Sequence, residues 1–236
     1  MVKISERLFR AASLISDGNR LADVGTDHGY VPIYLLQQQR IPRAIAMDIN
    51  RGPLERAKEH IRLYRLEEYI ETRLSDGVKA LKADEADSIL IAGMGGGLVM
   101  HILEAGQDVC RQAKELVLQP QSELERVRRF LWSEHYCVDA EEMVKEDGKY
   151  YPMMRVYYDP EMEQGEEPSE CDFCYGRLLL KQRHPVLKEY LQWECRIQEN
   201  ILAGLQRVPC TQEIQARICE VEHVLEVNAR ALAYYE

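Results

Sequence analysis

Short apolar runs bounded by glycine or polar residues recur through residue 158 of this chain. "RLADV" (20–24), "RAIAMDI" (43–49), "IETRLSD" (70–76), "SILIAGM" (88–94) and "ELVLQP" (115–120) have the length and composition of strands buried on both faces. Between them lie "YVPIYLLQQQ", "GPLERAKEHIRLY", "GGLVMHILEAG" and "SELERVRRFLWSEH", whose spacing of apolar residues predicts helices. The opening stretch, "MVKISERLFRAASLI", reads as an amphipathic helix and carries too much charge for a cleavable signal peptide. This alternation predicts a parallel sheet wrapped by helices through right-handed crossovers. The rhythm then breaks. "CVDAEEMVKED-GK-YYPMMRVYYD" holds two strand-like runs around Asp147-Gly148, the signature of a β-hairpin.

A parallel sheet that finishes in a hairpin points to a class I, Rossmann-like methyltransferase fold rather than to a dinucleotide dehydrogenase. The polar stretch "DPEMEQGEEPSE" (159–170) reads as a linker, which predicts domains over 1–160 and 161–236. Beyond it, Ile214, Ile218, Val221, Leu225, Asn228 and Leu232 recur at alternating four- and three-residue steps. Tyr190, Trp193, Ile197, Ile201, Leu205 and Val208 form a looser stripe, with "RVPCT" as the turn. The expected fold is thus an α/β domain followed by an antiparallel helical coiled-coil hairpin.

Composition narrows the class. No apolar run is long enough to span a membrane. Seven scattered cysteines fit a reducing cytoplasm better than a disulfide scaffold. The net charge of −10 does not advertise nucleic-acid binding. The charge is uneven, with 22 basic and 26 acidic residues before Glu161 against 8 and 14 from there onward.

The chemistry concentrates at the ends of the expected strands. A dinucleotide fingerprint needs G-x-G-x-x-G, whereas the first turn reads Gly25-Thr26-Asp27-His28-Gly29 after Asp23. A pyrophosphate there would meet the carboxylates of Asp23 and Asp27. A ligand that carries an ammonium beside a carboxylate suits the turn better, and the methionine end of S-adenosylmethionine is such a group. Asp48, followed by Ile49, closes the second strand where an acid accepts ribose hydroxyls. Asp76 and Gly77 end the third and face the adenine edge. Three strand-end acids share one rim of the sheet, where open α/β folds bind ligands.

The fourth strand runs into "AGMGGG" (92–97), where glycines let the backbone line a pocket or form an anion nest. Gly93 and Met94 fall on the cofactor side of this loop, and Gly95 on the side of the target. His28 with Asp23 and Asp27 lacks the further converging ligands that zinc requires, and Cys171-x-x-Cys174 is a half-site without a partner pair, so no metal is expected.

"ADVGTDHGYVPIYL", "AMDINRGPLERAKEHI", "LSDGVKAL", "IAGMGGGLVMHIL", "LVLQPQSELERVRRFL" and "VKEDGKYYPMMRVYY" together resemble the bacterial TrmK family. The resemblance runs over residues 4–158, with "DHGY" and "GMGGG" as its distinguishing pieces. Gln121 and Pro152 depart from the family pattern of an asparagine and an acidic residue. The resemblance implies a tRNA (adenine-22-N1)-methyltransferase that uses S-adenosyl-L-methionine, with a class I domain and a C-terminal coiled coil.

On that implication, adenine N1 attacks the methyl group with its own lone pair, and catalysis is chiefly alignment. The target base must be unpaired or flipped, because N1 lies on its Watson–Crick edge. The Gly93–Gly97 loop then walls the base, with Asp27 and Tyr30 steering it or the developing positive charge. Arg51, Arg56 and Arg62 on one helix, and Arg126 and Arg129 on another, are the expected phosphate contacts. The protein is expected to be a cytoplasmic monomer or weak dimer. Two other readings stay open: a methyltransferase of a small molecule or protein, and a scaffold acting through its coiled coil.

Overall fold

The computed structural model describes residues 1–161, 167–209 and 211–236. Five residues of the acidic stretch, and Cys210 in the expected helical turn, thus lie outside the described residues. Two compact units divide the chain, residues 1–163 and 164–236.

The first unit is built on seven strands: β1 (Leu21–Val24), β2 (Ala44–Asp48), β3 (Ile70–Leu74), β4 (Ser88–Met94), β5 (Glu115–Pro120), β6 (Tyr136–Glu146) and β7 (Lys149–Tyr158). Their order in the sheet is β3-β2-β1-β4-β5-β7-β6. The first five are parallel, and β7 is antiparallel to both β5 and β6. Each expected strand is present within a residue or two of its sequence bounds. The hairpin turns at Asp147 (φ 49°) and Gly148 (φ 75°), two left-handed positions in a row that asparagine, aspartate and glycine accept best.

Helices α1 (Glu6–Ser13), α2 (Tyr30–Gln37), α3 (Arg51–Leu63), α4 (Gly96–Ala105), α5 (Gln107–Cys110) and α6 (Leu124–Ser133) cover the sheet. The strict alternation of the strands decides which helix lies where. Val24, Met47, Ile91 and Leu118 share one core with Val99, Ile102, Val127 and Leu131 of α4 and α6. Their neighbours Ala46, Leu90 and Val117 share the other with Ala11, Ile33, Ala57 and Ile61 of α1, α2 and α3. A one-residue slip of any central strand would exchange its two faces between these cores, so the register is tightly held.

The second unit contains α7 (Glu170–Tyr175), α8 (Arg177–Lys181), α9 (Pro185–Leu205) and α10 (Gln212–Leu232), with a 3-10 turn at Ala233–Tyr235. The sequence predicted only the two long helices. The short pair exists because Ser169 and Asp172 form a reciprocal cap and Gly176 turns the chain at φ 96°. It buries Phe173, Tyr175, Leu179 and Leu180. Asn228, wholly buried near the end of α10, donates to the Leu191 carbonyl near the start of α9 at 3.0 Å, so the long helices run antiparallel.

The expected stripe on α10 does face inward: Val221 and Asn228 are buried, and Ile214, Ile218, Leu225 and Leu232 are half-buried. On α9 the stripe is displaced. Leu187 and Leu191 are buried and Tyr190, Ile201 and Leu205 half-buried, while Trp193 and Ile197 are 43% and 40% exposed and Val208, past the end of the helix, 46%. Glu194 explains the rotation, since it accepts from Asn228 (3.0 Å), Tyr175 (2.6 Å) and Tyr190 (2.8 Å). Those bonds turn α9 so that position 194 faces in and 193 faces out.

Candidate active site at the carboxyl edge of the sheet

Parallel strands with right-handed crossovers bring the carboxyl ends of β1 to β4 to one rim, and the turns leaving them build the site. The turn after β1 is drawn back under the sheet edge. The backbone N–H groups of Gly25 and Thr26 both donate to the Met47 carbonyl at 2.8 Å, and Gly25 has φ 76°. A Cβ at Gly25 would stand 2.2 Å from Cε of Met94, the movable tip of a long side chain, so it is the positive φ that calls for glycine here. Met94 is therefore a packing partner of the turn as well as a neighbour of the site.

Asp23 is 7% exposed and makes no salt bridge among the described residues. Burial pushes its carboxyl up to about 6, partly offset by the Thr26 hydroxyl and reinforced by the charge of Asp48. Asp27 is different. Its carboxylate is exposed and paired with Arg56 Nη2 at 3.0 Å, with His28 Nε2 at 3.4 Å. His28 adopts φ 64°, and its ring lies 5.1 Å from those of both Tyr30 and His60. His60 Nδ1 meets the His28 carbonyl oxygen at 3.1 Å, so the helix after β2 braces the turn after β1.

The glycine loop after β4 uses two of its N–H groups within the protein. The N–H groups of Gly96 and Gly97 donate to Ser122 Oγ (3.2 Å) and Glu123 Oε2 (2.9 Å), and the start of α4 is thereby already capped by side chains. Nor do all the glycines serve one purpose. Gly93 has φ 81°, and the β4–β5 register shifts around it. Gly96 lies so tight that a Cβ would stand 2.4 Å from the Ser122 carbonyl oxygen. Gly95 has an ordinary φ of −64° with only Ser122 Oγ nearby, at 3.4 Å, so its backbone has no need of glycine.

A cavity of about 550 Å³ opens on this rim, lined by Asp23, Gly25, Thr26, Asp27, Tyr30 and Gly93 together with Ala92 and Gln121. Its remaining wall was invisible to the sequence reading: Lys3, Ser5 and Arg7 from the N-terminal segment, and Glu146 from the hairpin. Arg7 is held by its backbone N–H donating to Glu146 (3.2 Å) and by its Nη1 donating to the Gln119 side-chain oxygen (2.9 Å). The same oxygen accepts from the Gly93 N–H at 3.1 Å. No local periodicity marks Arg7 or Gln119, which lie 112 residues apart.

Other expected cofactor residues lie along the rim outside this cavity. Asp48 accepts from the Asn50 N–H at 2.7 Å, shaping the turn that follows β2. Asp76 pairs with Lys79 at 2.5 Å, which holds its carboxyl below the usual range, and with Gly77 it borders a narrow cleft beside His101. Ile49, Leu74 and Leu98 are 60%, 51% and 49% exposed at the same rim. Apolar groups of that size left open beside acids form a surface suited to a flat heterocycle.

The expected phosphate contacts divide. Arg51 and Arg62 are exposed on α3, whereas Arg56 is engaged by Asp27. On α6, Arg126 and Arg129 pair with Glu123 and Glu125 of their own segment. Arg128, adjacent to them in sequence, is 6% exposed and bound to buried Glu141. That helix therefore does not present three free cations. Among the described residues, no group of three or more His, Cys, Asp or Glu side chains could hold a metal ion.

The strand order is that of a Rossmann-like S-adenosylmethionine-dependent methyltransferase fold. The model of the TrmK family, tRNA (adenine(22)-N(1))-methyltransferase, matches residues 21–230, and the chain belongs to that family. It is 32% identical to the tRNA (adenine(22)-N(1))-methyltransferase of Bacillus subtilis (strain 168), over 96% of this chain and 95% of that one. The crystal structure of the B. subtilis m1A22 tRNA methyltransferase TrmK superposes with a TM-score of 0.87 at 30% identity, covering 98% and 100% of the two chains. A Streptococcus pneumoniae protein in complex with S-adenosyl-L-methionine gives 0.86 at 30% identity, with the same coverage.

Proposed function

We propose that this protein methylates N1 of adenine 22 in tRNA, with S-adenosyl-L-methionine as methyl donor. The observation that carries this reading is the rim cavity between the β1 turn and the β4 glycine loop, on a chain whose family has that activity. Three features fit the cofactor. Among the described residues buried Asp23 has no cation of its own, Gly25 lines the cavity beside it, and Ile49 stays exposed next to Asp48.

The bound cofactor supplies an electrophilic methyl group on a sulfonium. The residues of this chain then have three tasks. Asp23 holds an ammonium, Asp48 the ribose hydroxyls, and the Gly93–Gly97 backbone the face of the target base. N1 of adenine carries a free lone pair at neutral pH, so no general base has to precede attack, and alignment does most of the work. Asp27 and Tyr30, at the mouth, orient the base. The base reaches them only when extruded from its stack.

Arg51 and Arg62, exposed on α3, contact tRNA phosphates. Arg126 and Arg129 join them by exchanging carboxylate partners for phosphates. The second unit is an antiparallel coiled-coil hairpin that positions the tRNA, and the protein works in the cytoplasm as a monomer or weak dimer. No helix among the described residues is long and apolar enough to cross a membrane, in keeping with that placement. The test is incubation with unmodified total tRNA and cofactor, followed by mapping of reverse-transcription stops. A new stop at adenine 22 is expected. Methylation elsewhere, or none, overturns the proposal.

A further inference from the structure

The rim cavity contains an unmatched pair of charges. Among the described residues, Asp23 is a buried acid without a cation, and Arg7, half-buried in the wall of the same cavity, is a cation without an acid. The other carboxylates of the cavity have tasks already. Asp27 holds Arg56, and Glu146 accepts from the Arg7 backbone N–H. A guanidinium has five N–H donors, and the bond to Gln119 accounts for one of them.

Arg7 is also placed rather than loose. The Tyr151 ring lies 5.4 Å from its guanidinium carbon, and Gln119, wholly buried, ties its Nη1 to the N–H of Gly93 through a shared oxygen. A Cβ built on Gly93 would stand 3.8 Å from Nη1, so the cation borders the rim loop itself. Lys3, exposed at the outer edge of the same cavity, is the group better placed for a solvated phosphate. A half-buried, pre-oriented fork matches a desolvated carboxylate.

We propose that Arg7 is the counter-ion of the cofactor's α-carboxylate, so that the N-terminal helix and the β1 turn grip the amino-acid head group from two sides. Its ammonium lies on Asp23 and its carboxylate on Arg7. The proposal rests on the cofactor reading above and gives the carboxylate a side-chain partner. Gln119 is then a positioning residue, acting through Arg7.

The test separates head group from nucleoside. S-adenosylhomocysteine, which carries the head group, and 5′-methylthioadenosine, which lacks it, are titrated calorimetrically into wild type, Arg7→Met and Arg7→Lys, with a thermal melt of each. Wild type is expected to prefer S-adenosylhomocysteine. Arg7→Met should lose that ligand by about tenfold or more while binding methylthioadenosine as before, and Arg7→Lys should recover part of the loss. If Arg7→Met does not fold, Arg7→Gln takes its place. Equal weakening of both ligands would reduce Arg7 to a structural role and overturn the proposal. So would unchanged S-adenosylhomocysteine binding with a raised KM for tRNA, which would assign Arg7 to a phosphate. If wild type binds neither ligand, the cofactor reading fails first and the proposal with it.

Discussion

The two ends of the same parallel sheet handle charge in opposite ways. At the amino end, residues just before the strands satisfy one another. Asp87 before β4 holds Arg20 before β1 at 2.8 Å and Lys114 before β5 at 3.1 Å, and its carboxyl is held well below the usual range by those partners. Glu115 accepts from Ser88 (2.6 Å) and from both the N–H and hydroxyl of Ser16. At the carboxyl end, among the described residues, Asp23 is buried without a cation, Arg7 stands without an acid, and the buried Gln119 Nε2 has no hydrogen-bond partner. An end that completes its own bonds serves stability. The end that leaves them incomplete is the one at which we propose the cofactor binds.

The largest effect that would sharpen this contrast is at the glycine loop. Gly95→Val should fold, because φ there is −64° and the only close atom is Ser122 Oγ. It should retain cofactor affinity within a few-fold yet lose methyl transfer by about two orders of magnitude or more, since a branched side chain fills the place of the target base. Gly96→Val should instead lose folding stability, by the overlap with the Ser122 carbonyl oxygen. Single-turnover kinetics and thermal melts distinguish the two. Normal turnover in Gly95→Val would make the loop a packing device.

Paired aspartate replacements come next, one at each end. Asp87→Asn breaks a satisfied cluster, and should lower stability at pH 7.5 by about 1–3 kcal/mol with no change in cofactor affinity. Its carboxyl pKa is depressed in the folded state, so its contribution is present above the unfolded value and lost as pH falls below that. Asp23→Asn should do the reverse in the unliganded protein, raising stability by about 1–3 kcal/mol, because an acid whose pKa is raised to about 6 is ionised at pH 7.5 against its burial. The same change should weaken S-adenosylhomocysteine at least about tenfold. Equal destabilisation by both replacements would erase the distinction between the ends.

Much of this contrast was legible in the chain. Strands such as "SILIAGM" and "ELVLQP" announce themselves through local composition, and topology alone then gathers Asp23, Asp48 and Asp76 on one rim. What stayed hidden depends on partners far away in sequence. Arg7 joins the site through Gln119 and a hairpin glutamate, neither of which has a local signature. Nothing local announces that Ser122 and Glu123 reach back from the next crossover to the start of α4. The α9 stripe failed for a similar reason. Trp193 and Ile197 have the right spacing for a seam, but bonds from Tyr175 and Asn228 to Glu194 fix the rotation of the helix. Local periodicity names a face without saying which tertiary bond will turn it.

The smallest expected effect, and the most direct readout of the open end, is the pH dependence of cofactor affinity. An ammonium binds the ionised form of Asp23, whose carboxyl burial has pushed up to about 6. Above pH 7 the acid is mostly ionised and affinity should be level. Below 6 the proton competes with the ligand, so affinity for S-adenosylhomocysteine should fall by about tenfold between pH 7 and pH 5. Binding near pH 6 should also release a proton, visible as a dependence of calorimetric heat on the ionisation enthalpy of the buffer. For stability of the free protein the sign is opposite. A raised carboxyl pKa favours the folded state most below the unfolded value, and that advantage is lost as pH rises through about 6. Methylthioadenosine, without an ammonium, should bind with little change over the same range. A profile flat for both ligands would mean that Asp23 is not the ammonium's partner. A fall shared by both would trace the titration to the nucleoside side of the rim.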